Sequence, residues 1–154
     1  MRELTKNVEI EGARYQLSKM TAMAASRIKN LLLAAAVSSP MAKAAAEQRG
    51  AAEQAVAPTP ENADGAVVVM WITAGQVLDE GVYSQIQTIC LKTVAECVEG
   101  SEAAIPIMMA DGRWANKDLE RNPTAVDSLI IEALKFNIAP FFSGAALKLA
   151  AQPR

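Results

Sequence analysis

Few side chains in this sequence are of a type and spacing that could do chemistry. Cys90 and Cys97 are the two thiols, and the chain contains no histidine. Without imidazole there is no Ser-His or Cys-His nucleophile pair, no His-ligated zinc site, and no general base of the commonest kind at neutral pH. If both cysteines sit on one helix, their seven-residue separation puts them about 10 Å apart along a single face, at roughly 1.5 Å per residue. A disulfide needs Cα atoms within about 7 Å. The two thiols therefore read as reduced, buried, small hydrophobes. Asp79-Glu80 falls at a helix junction and reads as a cap or exposed turn, not as a carboxylate dyad. Asp111, Asp118 and Glu120 lie close together, but the Gly112-Arg113-Trp114 among them breaks the spacing of a calcium loop. Ser18-Lys19 and Ser26-Arg27 are isolated pairs. No phosphate loop, dinucleotide fingerprint or metal-ligand spacing is present. The sequence predicts no enzyme, no metal and no cofactor.

What remains is the chemistry of binding. Trp71, Trp114, Phe141 and Phe142 are four of seven aromatic residues. They either fill a small core or, for Phe141 and Phe142 just past a helix end at Pro140, anchor a partner, as aromatics do at interfaces. The preceding helix carries two apolar stripes: Val126, Ile130 and Leu134 on one, Leu129, Ala133 and Phe136 on the other. That face is wider than packing on one neighbour requires. One stripe is expected to pack inward and part of the other to stay open.

The elements that position these residues follow from periodicity. Residues 8–17 alternate Val8 and Ile10 with Glu9 and Glu11, turn at Gly12, and return through Tyr15 and Leu17, the pattern of a hairpin. A helix capped at Ser18 or Thr21 begins near Met20 and stops before Pro40, with apolar residues three and four apart. Residues 66–80 fit a helix, although three consecutive valines leave a buried strand in competition. A second helix is expected over 82–99, with Val82, Ile86, Cys90 and Cys97 on one stripe. Asp111-Gly112 predicts a second hairpin over 105–115, with Pro106 confining its first strand to an edge. Asn122 and Pro123 open the last helix, which ends near Asn137. The tail from residue 143 reads as a short helix or frayed end. The fold class that results is mainly α, a single helical domain over 1–154 with two small hairpins packed at one end. Residues 38–65 form an Ala/Pro-rich arm or linker within it, which carries almost no large apolar side chain.

Composition narrows the class further. The 154-residue chain has 30 alanines, seven methionines, 21% charged residues and a net charge of −2. A basic nucleic-acid binder is excluded, as is a wholly disordered chain. No apolar run approaches the roughly 20 residues of a membrane span, and MRELTKNVEIEG lacks the apolar segment of a signal peptide. The cytoplasm is the expected compartment. Charge is uneven: residues 61–110 hold seven anions and one cation, whereas residues 1–30 hold six cations and three anions. These are either solvated helix faces or complementary surfaces for head-to-tail self-association.

The hairpin leading through YQLSKMTAMAASRI into a helix, and the close SLIIEALKFNIAPFF, resemble the tail assembly chaperones of long-tailed bacteriophages. The matching positions are Tyr15, Leu17, Met20 and Ala22 at the entry and Asn137, Phe141 and Phe142 at the close. The resemblance implies a non-catalytic protein that self-associates and binds the tape measure protein, a long apolar helical chain. It would keep that chain soluble in the host cytoplasm before the tail tube polymerises, and be absent from the mature virion. Methionine- and alanine-rich surfaces suit such a client, and an apolar helix face or groove would receive it. The partner-binding set is then Leu129, Phe136, Asn137, Phe141 and Phe142. Two other readings stay open: a tail or head–tail connector protein retained in the virion, or a helical adaptor or regulator.

Overall fold

The computed structural model describes residues 4–38 and 63–142. The first hairpin forms as its alternation dictates. Strands β1 (Thr5–Ile10) and β2 (Ala13–Ser18) pair antiparallel around a two-residue turn. Glu11 and Gly12 both take positive φ, 52° and 82°, the conformation whose twist matches that of the flanking strands. Tyr15 and Leu17 are buried, while Arg14 and the Glu11-Gly12 turn are exposed. Thr21 then caps α1 (Ala22–Ser38), its hydroxyl accepting from the Ala24 amide at 3.2 Å. Ala25, Ile28, Leu32 and Ala35 form the buried stripe of α1.

The second described stretch opens with α2 (Ala63–Val77) and α3 (Glu80–Leu91). Helix wins over strand across the three valines. Asp79 caps α3 by accepting from the Gly81 amide at 3.0 Å, so Asp79-Glu80 is a helix start as expected.

The chain departs from a mainly α pattern after Leu91. The helix expected to run to residue 99 ends there, and Val94–Cys97 is strand β3. The cause is local and tertiary together. Thr93 turns back onto Cys90 through both its amide and its hydroxyl. The Thr93 carbonyl accepts from the Ser18 amide at 2.9 Å, and Val94 is buried opposite Leu17. Strand β4 (Ala104–Pro106) pairs with β3. The result is one four-stranded antiparallel sheet in the order β1-β2-β3-β4, a mixed α/β fold in place of two separate hairpins. The Asp111-Gly112 turn does form, with Gly112 at φ 88° and Arg113 donating to the Asp111 carboxylate. It closes only the single bridge Met108–Trp114, because residues 104–106 are already paired on β3. Pro106 sits on an edge strand, as its missing N–H requires.

Asn116 caps the four-residue α4 (Lys117–Glu120), and Asn122 caps α5 (Pro123–Asn137), followed by a 3-10 turn over Ala139–Phe142. One apolar core draws on both described stretches, from Tyr15 to Phe142. Cys90 is buried on α3 and Cys97 is half-buried on β3, both free, so the single-helix spacing does not apply to them. Of the Ala/Pro-rich arm 38–65, Ser38 ends α1 and residues 63–65 open α2. The remainder, 39–62, and the tail from 143 lie outside the described residues.

Candidate partner-binding surface

The residues singled out at the two ends of the chain meet in space. The Asn137 side chain is buried at the end of α5. Its Oδ1 accepts from the Met20 amide at 2.9 Å, and its Nδ2 donates to the Ala133 carbonyl at 3.0 Å and to the Ser18 carbonyl at 3.5 Å. Lys19 Nζ donates to the Phe136 carbonyl and lies 3.8 Å from the centre of the Phe136 ring. The β2–α1 junction and the α5 C-terminus are thereby locked together across 117 residues of sequence. Tyr15 and Leu17 are buried in the sheet beside this lock, and Ala22 is exposed at the start of α1.

Both stripes of α5 are covered, which corrects the expectation of an open one. Leu129, Ile130, Ala133, Leu134 and Phe136 are all buried, and only Val126 of the two stripes is half-exposed. The physical reason is position. α5 is the central helix, touching α2, α3, α4, β1 and β2, so it needs apolar side chains on several sides. Phe142 is buried in the 3-10 turn. Of the expected partner-binding set, Leu129, Phe136, Asn137 and Phe142 are covered by the chain itself. Phe141 alone keeps a partly open ring, with Lys29 Nζ 4.9 Å from its centre.

The open apolar surface lies on α2. From Gly65 to Leu78 no residue is charged, and large apolar side chains occur on every side of the helix. Val67, Met70, Trp71 and Ala74 face the core, where Trp71 stacks on Tyr83 of α3 at 4.3 Å between ring centres. On the opposite side Gly65, Val69, Ile72 and Gln76 form a solvent stripe, with Val69 62% and Ile72 59% exposed. A helix that is apolar all round is ordinarily a buried one. Sequence reasoning placed α2 correctly and missed this stripe. The signal was present in the absence of any polar side to the helix. The stripe is bracketed by Asp64 at one end and by Asp79 and Glu80 at the other.

Other surfaces are less suited to an apolar partner. α1 exposes Met23 and Val37, but Arg27 and Asn30 interrupt that stripe. A broad hollow of about 1450 Å³ lies against the sheet, where the charged Arg14, Glu99, Glu102 and Lys117 surround the exposed Val98 and Ile105. Burial raises the pKa of both Tyr15 and Tyr83, with help from Glu96 and Glu11 at the first and Asp127 at the second. Burial alone pushes the Cys90 thiol up to about 12. None of the three is thereby made reactive near neutral pH. Among the described residues no group of three or more His, Cys, Asp or Glu could hold a metal, and no helix is long and apolar enough to cross a membrane.

Residues 11–148 match the family described as Phage tail assembly chaperone protein, TAC. No curated protein and no solved structure matches the chain.

Proposed function

Because the chain belongs to the phage tail assembly chaperone family, we propose that it binds the tape measure protein and keeps that chain soluble until the tail tube polymerises around it. It does so in the host cytoplasm as a non-catalytic, self-associating protein, and it leaves before the virion is finished. The observation that carries this reading is the uncovered, uncharged face of α2 centred on Val69 and Ile72. A long apolar helical client presents stripes of its own, and helix-against-helix contact covers both at once. Flat apolar contact of this kind is tolerant of sequence, as a client of many different segments requires. Within this reading Phe141 extends the contact surface beyond α5. Leu129, Phe136, Asn137 and Phe142 hold that end of the molecule in place.

The test is co-expression of the chain with its tape measure protein, comparing the parent with a Val69→Lys, Ile72→Lys double variant. The parent should hold the client in the soluble fraction and co-purify with it. The double variant should remain folded and lose at least tenfold in co-purified client, the scale of a hot-spot loss of about 2 kcal/mol. A double variant that solubilises the client as well as the parent does removes α2 from the site. Mass spectrometry of purified virions should find the protein absent.

A further inference from the structure

The proposed function includes self-association, and the edges of the sheet indicate where it takes place. The two edges are unlike. β4 is three residues long and ends at Pro106, whose nitrogen has no hydrogen to donate. β1 is six residues long, contains no proline, and has β2 as its one strand neighbour among the described residues. The direction of its free backbone groups is fixed by the hydrogen bonds on the page. The Ser18 amide donates to Thr93, away from β1, so Thr5 opposite Ser18 is not bonded to it. The Lys19 amide donates to the Leu4 carbonyl, so the bonded positions alternate with that one. By this alternation Thr5, Asn7 and Glu9 direct their N–H and C=O groups outward.

We propose that two copies of the chain pair β1 against β1, antiparallel about a twofold axis, with Asn7 opposite Asn7. The proposal rests on the self-association in the reading above and assigns it a surface. Outward-pointing residues must face one another for the ladder to close, which leaves few registers. Centring on Lys6 sets Lys6 against Lys6, and centring on Glu9 sets Glu9 against Glu9, both like-charge contacts. Centring on Val8 sets Leu4 against the turn glycine, Gly12. Centring on Asn7 sets Thr5 against Glu9 and Lys6 against Val8, with no like charges opposed among the described residues. It also sets Leu4, 72% exposed in one copy, against the half-buried Ile10 of the other, and symmetry makes that contact twice. Leu4, Val8 and Ile10 lie on the helix-facing side of the sheet with Tyr15, so the paired copies extend one apolar layer. A strand pair of this length buries little area, which makes the contact weak and reversible.

The experiment uses the full chain. Asn7→Pro removes an outward N–H and no bond to β2, so its circular dichroism and melting temperature should match the parent's. Its dissociation constant should rise at least tenfold in sedimentation across a concentration series. In a Cys97→Ser background, Asn7→Cys should give a disulfide dimer on oxidation, since bonded antiparallel pairs lie about 5.5 Å apart. Glu9→Cys should not, because register holds those two residues roughly 13 Å apart. Pairing should persist in 1 M salt, whereas a contact between unlike charged surfaces would dissolve there. The proposal is overturned by an Asn7→Pro variant that associates like the parent. It is equally overturned by Glu9→Cys linking as readily as Asn7→Cys, or by a parent chain that is monomeric throughout. Client co-purification measured on the same samples is the separate readout. If β1 pairing fails and the client is still held, the chaperone reading stands without this interface.

Discussion

Helices α2 and α5 are each fifteen residues long and both carry many large apolar side chains, yet the fold treats them differently. α5 carries Asp127, Glu132 and Lys135 on its outer side, and its apolar residues have neighbours in three helices and two strands. Everything apolar on α5 has a use inside the molecule. α2 has one charged residue, Asp64 in its first turn, and packs mainly on α1, α5 and the 3-10 turn. Its apolar side chains exceed what the core can take, and Val69 and Ile72 are the excess. A wide apolar face therefore marks a central position in one helix and an unmet contact in the other. Neighbours, not hydrophobicity, separate the two cases.

The largest effects should fall on α5. Leu129→Ala removes a side chain with no exposed surface and should lower stability by about 3–5 kcal/mol, read as the urea midpoint with an unchanged slope. Ile72→Ala on α2 should change it by less than about 0.5 kcal/mol. Equal losses at the two sites would erase the comparison.

The covered side extends to Cys90 on α3, and pH tests it. Burial holds this thiol protonated to about 12 in the folded chain, against an ordinary value of 9.0. A raised folded value means that the contribution is fully present below pH 9 and is lost as pH rises toward 12, because the unfolded chain ionises first. The loss reaches roughly 4 kcal/mol at the top of that window. Cys90→Ala should flatten the alkaline limb of the stability curve, and a limb unchanged by the substitution would place the thiol in contact with water.

The Asn137 lock comes next in size. Asn137→Ala leaves the Met20 amide and the Ser18 carbonyl without this partner, at a cost of about 1–3 kcal/mol. Because the lock joins β2–α1 to α5, amide exchange should quicken at Met20 and at the C-terminal end of α5 before it changes in α2.

How much of this was readable beforehand depends on whether the signal was local. The Glu11-Gly12 turn, the Asn122-Pro123 helix start and the Asp79 cap are each decided within four residues, and each appears where the sequence puts it. The end of α3 was not readable. Thr93 to Cys97 continue an apolar helical stripe, and the residues that make them a strand, Tyr15 to Ser18, are more than seventy positions away. The same holds for α5. Two stripes were visible, but the number of elements that would cover them was not, because that number is a property of the assembled layers. Asn137 and its partner Met20 were both marked through the same resemblance, at opposite ends of the chain. Only the folded chain shows the two joined.

The smallest effect is the one that speaks most directly to function, and its small size can be argued. Val69→Lys with Ile72→Lys replaces two β-branched residues in the middle of an exposed helix stripe. β-branched side chains lose χ1 freedom against the preceding turn, and lysine loses less, so helix propensity favours the variant by a few tenths of a kcal/mol. Little apolar area returns to water, since both residues are already more than half exposed. The two new lysines stand at i and i+3 on one stripe, and their mutual repulsion offsets that gain by a similar few tenths of a kcal/mol. The melting temperature of the double variant should therefore stay close to the parent's while its hold on the client falls. Residues whose replacement leaves the free chain as stable as before are not held in place by the fold. If the double variant instead melts several degrees lower, the chain's own packing covers Val69 and Ile72, and α2 joins α5 on the covered side of the comparison.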